Sequence, residues 1–242
     1  YTKLGYNALN MNIAYKLYSL YSRTTIYTYL TYEKADNTEM LNYQNDGLLH
    51  NQNYMDGGEK ETVSATLYAN KGLGNLPIDA KLTTTFLWNR NEIAYNSIPY
   101  KMLIGSLKTD LGFASRFKIP FNVEIDGLYN KLTNKVTDLN IDSSDKEIGG
   151  TAKLIFAKNK FASFVTGKWN KIENTSGSKI LRDIDFSISY KIKKFTCKLS
   201  GTNIFHLNGI NWLKQNVTPT YTSYVRYKQH SGNVMLSLTY QL

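Results

Sequence analysis

The chain has 242 residues, 29 Lys and Arg against 19 Asp and Glu, a formal net charge of +10, and one cysteine, Cys197. No run of about 18 apolar residues exists, which excludes a bilayer-spanning helix. The lone cysteine excludes an internal disulfide and a cysteine-based zinc site. Aromatic residues make up 13%, Tyr alone occurring 19 times, a bias towards strand formers that an AT-rich coding sequence would also produce. The chain opens on Tyr1-Thr2-Lys3 rather than Met, as if cut from something longer.

In chain order, alternation of apolar and polar residues is the dominant pattern. Leu9, Met11, Ile13, Tyr15 and Leu17 alternate with Ala8, Asn10, Asn12, Ala14 and Lys16. The same two-residue period recurs over Ile184–Ile192 and Val234–Leu242. It predicts strands over 8–17, 22–33, 61–70, 79–91, 102–115, 121–131, 147–157, 161–171, 181–192, 195–205 and 221–242. About eleven strands result, most near ten residues, where a soluble strand averages about five or six and a tilted membrane strand needs about nine to eleven. The last is read as one long strand; splitting it at Ser231-Gly232 would give twelve.

Connection lengths alternate too. Short turns fall at 18–21, 71–78, 116–120, 158–160 and 193–194. Longer loops fall at 34–60, 92–101, 132–146, 172–180 and 206–220. The expected fold class is therefore all-β: an antiparallel up-and-down transmembrane β-barrel occupying 1–242. Lys16, Arg23, Lys71, Arg116, Lys118, Lys158, Lys160, Lys191, Lys193 and Lys194 flank the short turns, while Asp36, Glu39, Asp46, Asp56, Glu59, Asp138, Asp142, Asp145 and Glu173 lie in the long loops. A basic rim of this kind suits anionic phospholipid headgroups, and lysine also serves simply as a turn solubiliser. Trp88, Trp169, Tyr29, Tyr32 and Tyr129 fall towards the long loops. Tyr190, Phe117, Phe121, Phe161 and Phe195 fall near the short turns. Two such bands read as interfacial girdles, or as core packing in a soluble barrel.

Val234, Leu236, Leu238, Tyr240 and Leu242 resemble the C-terminal signal of bacterial outer-membrane barrels, which usually ends in Phe. Asn203, Ile204 and Phe205, after Leu199-Ser200-Gly201-Thr202, resemble the N-L-F-N strand end of TonB-dependent receptors, with Ile204 and His206 departing from it. Tyr224-Val225-Arg226-Tyr227-Lys228-Gln229 is similar to that family as well. Residues 206–242 carry the resemblance closely, the rest only by strand pattern. It implies a bacterial outer-membrane location and a 22-stranded barrel, of which about eleven strands would be the C-terminal half. The plug domain is absent, so the remaining strands and plug would come from other sequence or another chain. The family acts in nutrient uptake driven by the TonB complex through the plug, and a surface lipoprotein is a further expected partner. The rivals are a complete small porin-like or structural outer-membrane barrel of ten or twelve strands, and a soluble all-β carbohydrate-binding protein. Nucleic acid is not an expected partner.

No enzyme, cofactor or metal motif emerges. Gly72-Leu73-Gly74 reads as a turn because no helix follows. Asp56-Gly57-Gly58 reads as a loop apex. Asp142, Asp145 and Glu147 lack EF-hand spacing, and His50, His206 and His230 are scattered. Asp183 and Asp185 are expected to face the lumen, balanced by Lys168 or Lys198. Tyr95, Tyr100, Trp212 and Tyr221 are loop aromatics that could stack on a flat ligand. Tyr43 and Tyr54 belong with them.

Overall fold

The computed structural model describes residues 7–46, 49–139, 141–175, 177–217, 222–229 and 231–240. It is an all-strand molecule: β1 (Asn7–Ser19), β2 (Thr24–Asp46), β3 (Leu49–Gly72), β4 (Ile78–Tyr95), β5 (Ile98–Ser115), β6 (Phe121–Val136), β7 (Ile141–Lys158), β8 (Phe161–Asn174), β9 (Gly177–Ile192), β10 (Phe195–Thr202), β11 (Ile210–Val217), β12 (Thr222–Gln229) and β13 (Asn233–Tyr240). Two single 3-10 turns, Thr137–Leu139 and Ile204–His206, interrupt them. Among the described residues no helix is long and apolar enough to cross a membrane.

Eleven strands form one sheet in the order β1 to β10 and then β13, each antiparallel to its neighbours. The sheet does not close: β1 bonds only β2, and β13 only β10. Met11 and Leu238 thus lie on opposite edge strands. Because consecutive strands pair, connections alternate between two ends. The turns at 20–23, 73–77, 116–120, 159–160 and 193–194 share a short-turn end, and the others share the far end.

At the far end the predicted long loops are mostly strand. Residues 34–60, 92–101, 132–146 and 172–180 continue the ladders up to tight connections. Asn96 and Ser97, with φ of 48° and 68°, make the two-residue connection of β4 to β5, the paired positive φ of a type I′ hairpin whose twist matches the strands. Asp56-Gly57-Gly58 is no loop apex. It lies within β3, where the β2–β3 register shifts between Ala35 and Thr38 and again between Thr38 and Met40. Asn37 (φ 57°) and Gly57 (φ 98°) supply the irregular backbone.

These bulges matter because β2 is 23 residues long, about 75 Å if straight. Beyond the bulges it bends across β3: Asn42 and Tyr43 pair in parallel with Ala94 and Tyr95. The Asn96 N–H donates to the Tyr43 carbonyl at 2.8 Å, and the Ser97 N–H to Asn42 Oδ1 at 3.1 Å. Among the described residues Ala35, Met40, Ile93, Ala94 and Val136 are the buried apolar ones, so the core they form sits at the far end rather than under the sheet. The whole surface is 16491 Å², against about 11,000 Å² for a compact protein of 27.6 kDa.

The predicted strand 221–242 is two strands. β12 pairs with β11 in a separate hairpin, and β13 pairs with β10, with Ser231-Gly232 between them. The segment 206–220 is accordingly no loop, since it contains β11, and β10 ends at Thr202 rather than 205. Gly232 passes so close to the Asn203 and Thr202 carbonyls that a Cβ there would overlap backbone. Its N–H donates to the His206 carbonyl at 3.0 Å. Gly232→Ala is therefore expected to destabilise the fold by about 1–3 kcal/mol, the usual cost of overpacking. Gly167→Ala, whose Cβ would meet open space, should be near neutral; denaturant midpoints of the two variants check this.

Candidate functional site

The registers assign every strand residue to one of two faces, because successive side chains point to opposite sides of the pleat. Following the pairs from β1 to β13 gives one apolar face. It carries Leu9–Leu17 (odd positions), Ile26–Tyr32 (even) and Val63–Ala69 (odd). It continues through Ile78–Trp88 (even), Leu103–Phe113 (odd) and Phe121–Tyr129 (odd). Ile148–Phe156 (even), Phe161–Trp169 (odd), Ile184–Ile192 (even), Phe195–Gly201 (odd) and Val234–Tyr240 (even) complete it. No charged residue occurs in these columns. Several span nine residues, about 30 Å along the strand.

Charges on this same face begin immediately beyond the band at the far end. Lys34, Glu61, Arg90, Lys101, Lys131, Lys146, Lys171 and Arg182 each stand one apolar-face position past it, on β2 to β9 in turn. Among the described residues nothing covers the band. Ile13 is 60% exposed, Leu154 62% and Leu236 73%. Two hydroxyls on this face, Thr84 and Thr109, pair with each other at 3.3 Å.

The opposite face is polar, and many of its charges are paired. Glu124 Oε2 accepts from Lys153 Nζ at 3.0 Å and Glu33 Oε1 from Lys60 Nζ at 3.2 Å. Lys108 meets Asp110 at 3.5 Å. Arg23 and Arg116 both grip Asp79 at the short-turn end. Beyond the band, the hydrogen bond and charge of Lys171, with Lys146 behind it, hold the Glu173 carboxyl below its ordinary range. Hydrocarbon is thus exposed on one face, while the carboxylates named on the other are ion-paired, with Asp79 the most buried of them.

Asp183 and Asp185 lie on the polar face, opposite in direction to Ile184, Phe186, Ile188 and Tyr190, as the alternation requires. Their side chains are only 11% and 16% exposed. Asp185 Oδ2 pairs with Lys168, and its Oδ1 accepts the Asn203 N–H at 2.9 Å. Asp183 Oδ1 accepts the Ile184 and Phe205 N–H groups at 2.8 and 3.1 Å, while Oδ2 lies 2.8 Å from His206 Nδ1. Asn203, in the left-handed region at φ 49°, turns the chain out of β10 so that these donors converge. The Asp pair therefore anchors the 3-10 turn Ile204–His206 through charge-assisted hydrogen bonds. Sequence reasoning found the pair and Lys168 but missed His206 and the turn, because the turn was read as strand.

Asn203, Ile204 and Phe205 fall at that turn, with Phe205 exposed. Val234, Leu236, Leu238 and Tyr240 form the apolar column of β13, and Phe195 meets Tyr240 with ring centroids 4.8 Å apart. Leu242 lies outside the described residues. Tyr95 and Tyr100 stand on the polar face of the β4–β5 hairpin. Trp212 belongs to β11, opposite Tyr227 in the ladder, and Tyr221 lies outside the described residues. Of the expected girdle residues, Trp88, Trp169, Tyr32, Tyr129, Tyr190, Phe121, Phe161 and Phe195 share the apolar face. Tyr29 does not: it is on the polar face, its hydroxyl 3.3 Å from Asn12 Oδ1. Among the described residues no group of three or more His, Cys, Asp or Glu could hold a metal ion. Compared with known proteins, the chain matches no family model and no curated protein.

Asp183→Ala should lower stability by about 2–3 kcal/mol, because donors now served by a carboxylate lose it. Asp183→Asn, which keeps one acceptor, should lose less. Unfolding midpoints order the two, and equal, negligible shifts would remove the anchor role.

Proposed function

We propose that the chain is the wall of a bacterial outer-membrane β-barrel, the C-terminal half of a receptor of the TonB-dependent kind, serving nutrient uptake. The observation that carries this is the exposed, charge-free apolar band. Nine residues on a strand tilted about 40° give a band about 25 Å tall, the height of an outer-membrane barrel's apolar girdle. Trp88, Trp169, Tyr32 and Tyr129 stand at its far edge, and Phe121, Phe161, Tyr190 and Phe195 at its short-turn edge, in the place of interfacial aromatics.

The open edges support the larger assembly. Lipid offers no partner for the outward N–H and C=O groups of β1 and β13, so in a bilayer further strands must bond them, from other sequence or another chain. Eleven strands are half of 22, and the β13 column and Asn203-Ile204-Phe205 are the residues that resemble the family. On this reading the short turns face the periplasm and the far end faces outward. The far-end hairpins capture ligand. A plug outside this chain, pulled by the TonB complex, opens the lumen past the paired charges of the polar face. The wall itself does no covalent chemistry. A surface lipoprotein would meet the far end.

Cys197 tests the placement. It is exposed, on the apolar face between Tyr190 and Leu238. In membranes it is expected to resist a water-soluble maleimide until denaturant is added, while Lys198→Cys in a Cys197→Ser background reacts. A chain that stays folded in detergent-free buffer with a reactive Cys197 would make the soluble reading correct. In intact cells Asn51→Cys should label from outside and Asn159→Cys should not. Met11→Cys with Leu238→Cys, again without Cys197, should form no internal disulfide. A bridge there would mean that the chain's own edges meet, in favour of a small complete barrel.

A further inference from the structure

Where β7 turns into β8, the short-turn end contains a recess of about 470 Å³, lined by Phe156, Phe161 and Tyr190 and rimmed by Lys158, Asn159 and Lys160. That volume lies within the range of small-ligand sites. The registers place Phe156, Lys158, Phe161 and Tyr190 on the apolar face, with Phe161 directly across from both Lys158 and Tyr190. Phe156 and Phe161 meet edge to face at 5.6 Å, and Phe121 backs Phe156 at 4.7 Å. The turn is held: Asn159 takes the left-handed φ of 55°, and the Lys191 N–H donates to the Lys160 carbonyl at 2.9 Å.

The site thus joins two chemistries across one edge. Its floor is aromatic and continuous with the apolar band. Its rim carries two exposed ammonium groups that make no ion pair among the described residues. The flanking turns, 116–120 and 193–194, add cations and no acid. A ligand that satisfies both parts is anionic at one end and hydrocarbon at the other, and must approach from the apolar face. Free phosphate would use the lysines and leave the rings bare. An acidic peptide would leave unused the opening onto the band.

We infer that this recess binds the headgroup of an anionic phospholipid from the leaflet that the short turns face. Its phosphate sits between the Lys158 and Lys160 ammonium groups, whose stems lie along apolar surface, and its first acyl carbons lie on Phe156, Phe161 and Tyr190. This rests on the membrane reading above.

Native mass spectrometry of the full chain in neutral micelles tests it, using phosphatidylglycerol and phosphatidylcholine of one acyl composition at equal concentration. Wild type is expected to retain phosphatidylglycerol preferentially. Lys158→Gln with Lys160→Gln should cut that preference about 10- to 30-fold, the worth of two lysines near an anionic headgroup. Lys16→Gln with Lys71→Gln, basic residues beside the distant β1–β2 and β3–β4 turns, should leave it essentially unchanged. No preference in wild type, an undiminished preference in the first pair, or an equal fall in both pairs would overturn the site. Displacement by inorganic phosphate at matching concentration would make it a phosphate site instead. Cys197 labelling in vesicles separates the two levels. A protected Cys197 without lipid preference sinks only this inference; a freely reactive Cys197 sinks the membrane reading beneath it.

Discussion

The pleat of an antiparallel ladder sends neighbouring side chains to opposite faces, and in this chain that alternation is the only device that sorts apolar from charged. Among the described residues there is no second layer to hide either face. On β9 a one-residue slip would exchange Ile184, Phe186, Ile188 and Tyr190 for Asp183, Asp185, Ser187 and Ser189. The continuous registers from β1 to β13 are therefore the constraint on which the rest depends. The paired charges follow from it: once the polar face is set, Lys153 falls beside Glu124 and Lys168 beside Asp185 because cross-strand neighbours meet at close range.

The far end obeys a different rule. Beyond the ring from Lys34 to Arg182, strands no longer show one apolar and one charged face. The β2–β3 hairpin bends at its bulges and comes to lie beside the tip of β4, burying Met40, Ile93 and Ala94. Buried Asn42 there has a backbone donor to meet, as a buried amide needs. Among the described residues, apolar burial of the ordinary kind is confined to this end, where the strands rise above the charge-free band.

That contrast explains what was legible in the sequence. Columns such as Leu9–Leu17 and Ile184–Ile192 show their period because one face is hydrocarbon and the other is not. The stretch 34–60 is also strand, but Glu39, Asn42, Gln44, Asn51, Gln52 and Asn53 put polar residues on both faces. The period-two signal vanishes there although the ladder does not. The break of 221–242 was visible only as Ser231-Gly232. Its cause, contact of Gly232 with the Asn203 backbone, is a tertiary fact. Asp183 and Asp185 were legible as a polar-face pair, whereas their grip on Asn203, Phe205 and His206 required the turn to be known.

The apolar band is also bounded along the strands, and the two boundaries differ in kind. At the far end eight consecutive strands each place one charge just past it, with Glu61 among the cations. At the short-turn end the charges are lysines and arginines at the turns, and only Asp79 answers them, gripped by Arg23 and Arg116. On the proposed reading, sliding the wall outward by two residues would draw Lys71 and Lys158 into the hydrocarbon. Sliding it inward would draw in the ring from Lys34 to Arg182. A lysine or arginine at mid-bilayer costs about 2–4 kcal/mol and near the interface about 0–1, so many small penalties of opposite sense fix the height. The β7–β8 recess stands at the boundary where the cations lack acids, the place where a headgroup's negative charge has the most to offset.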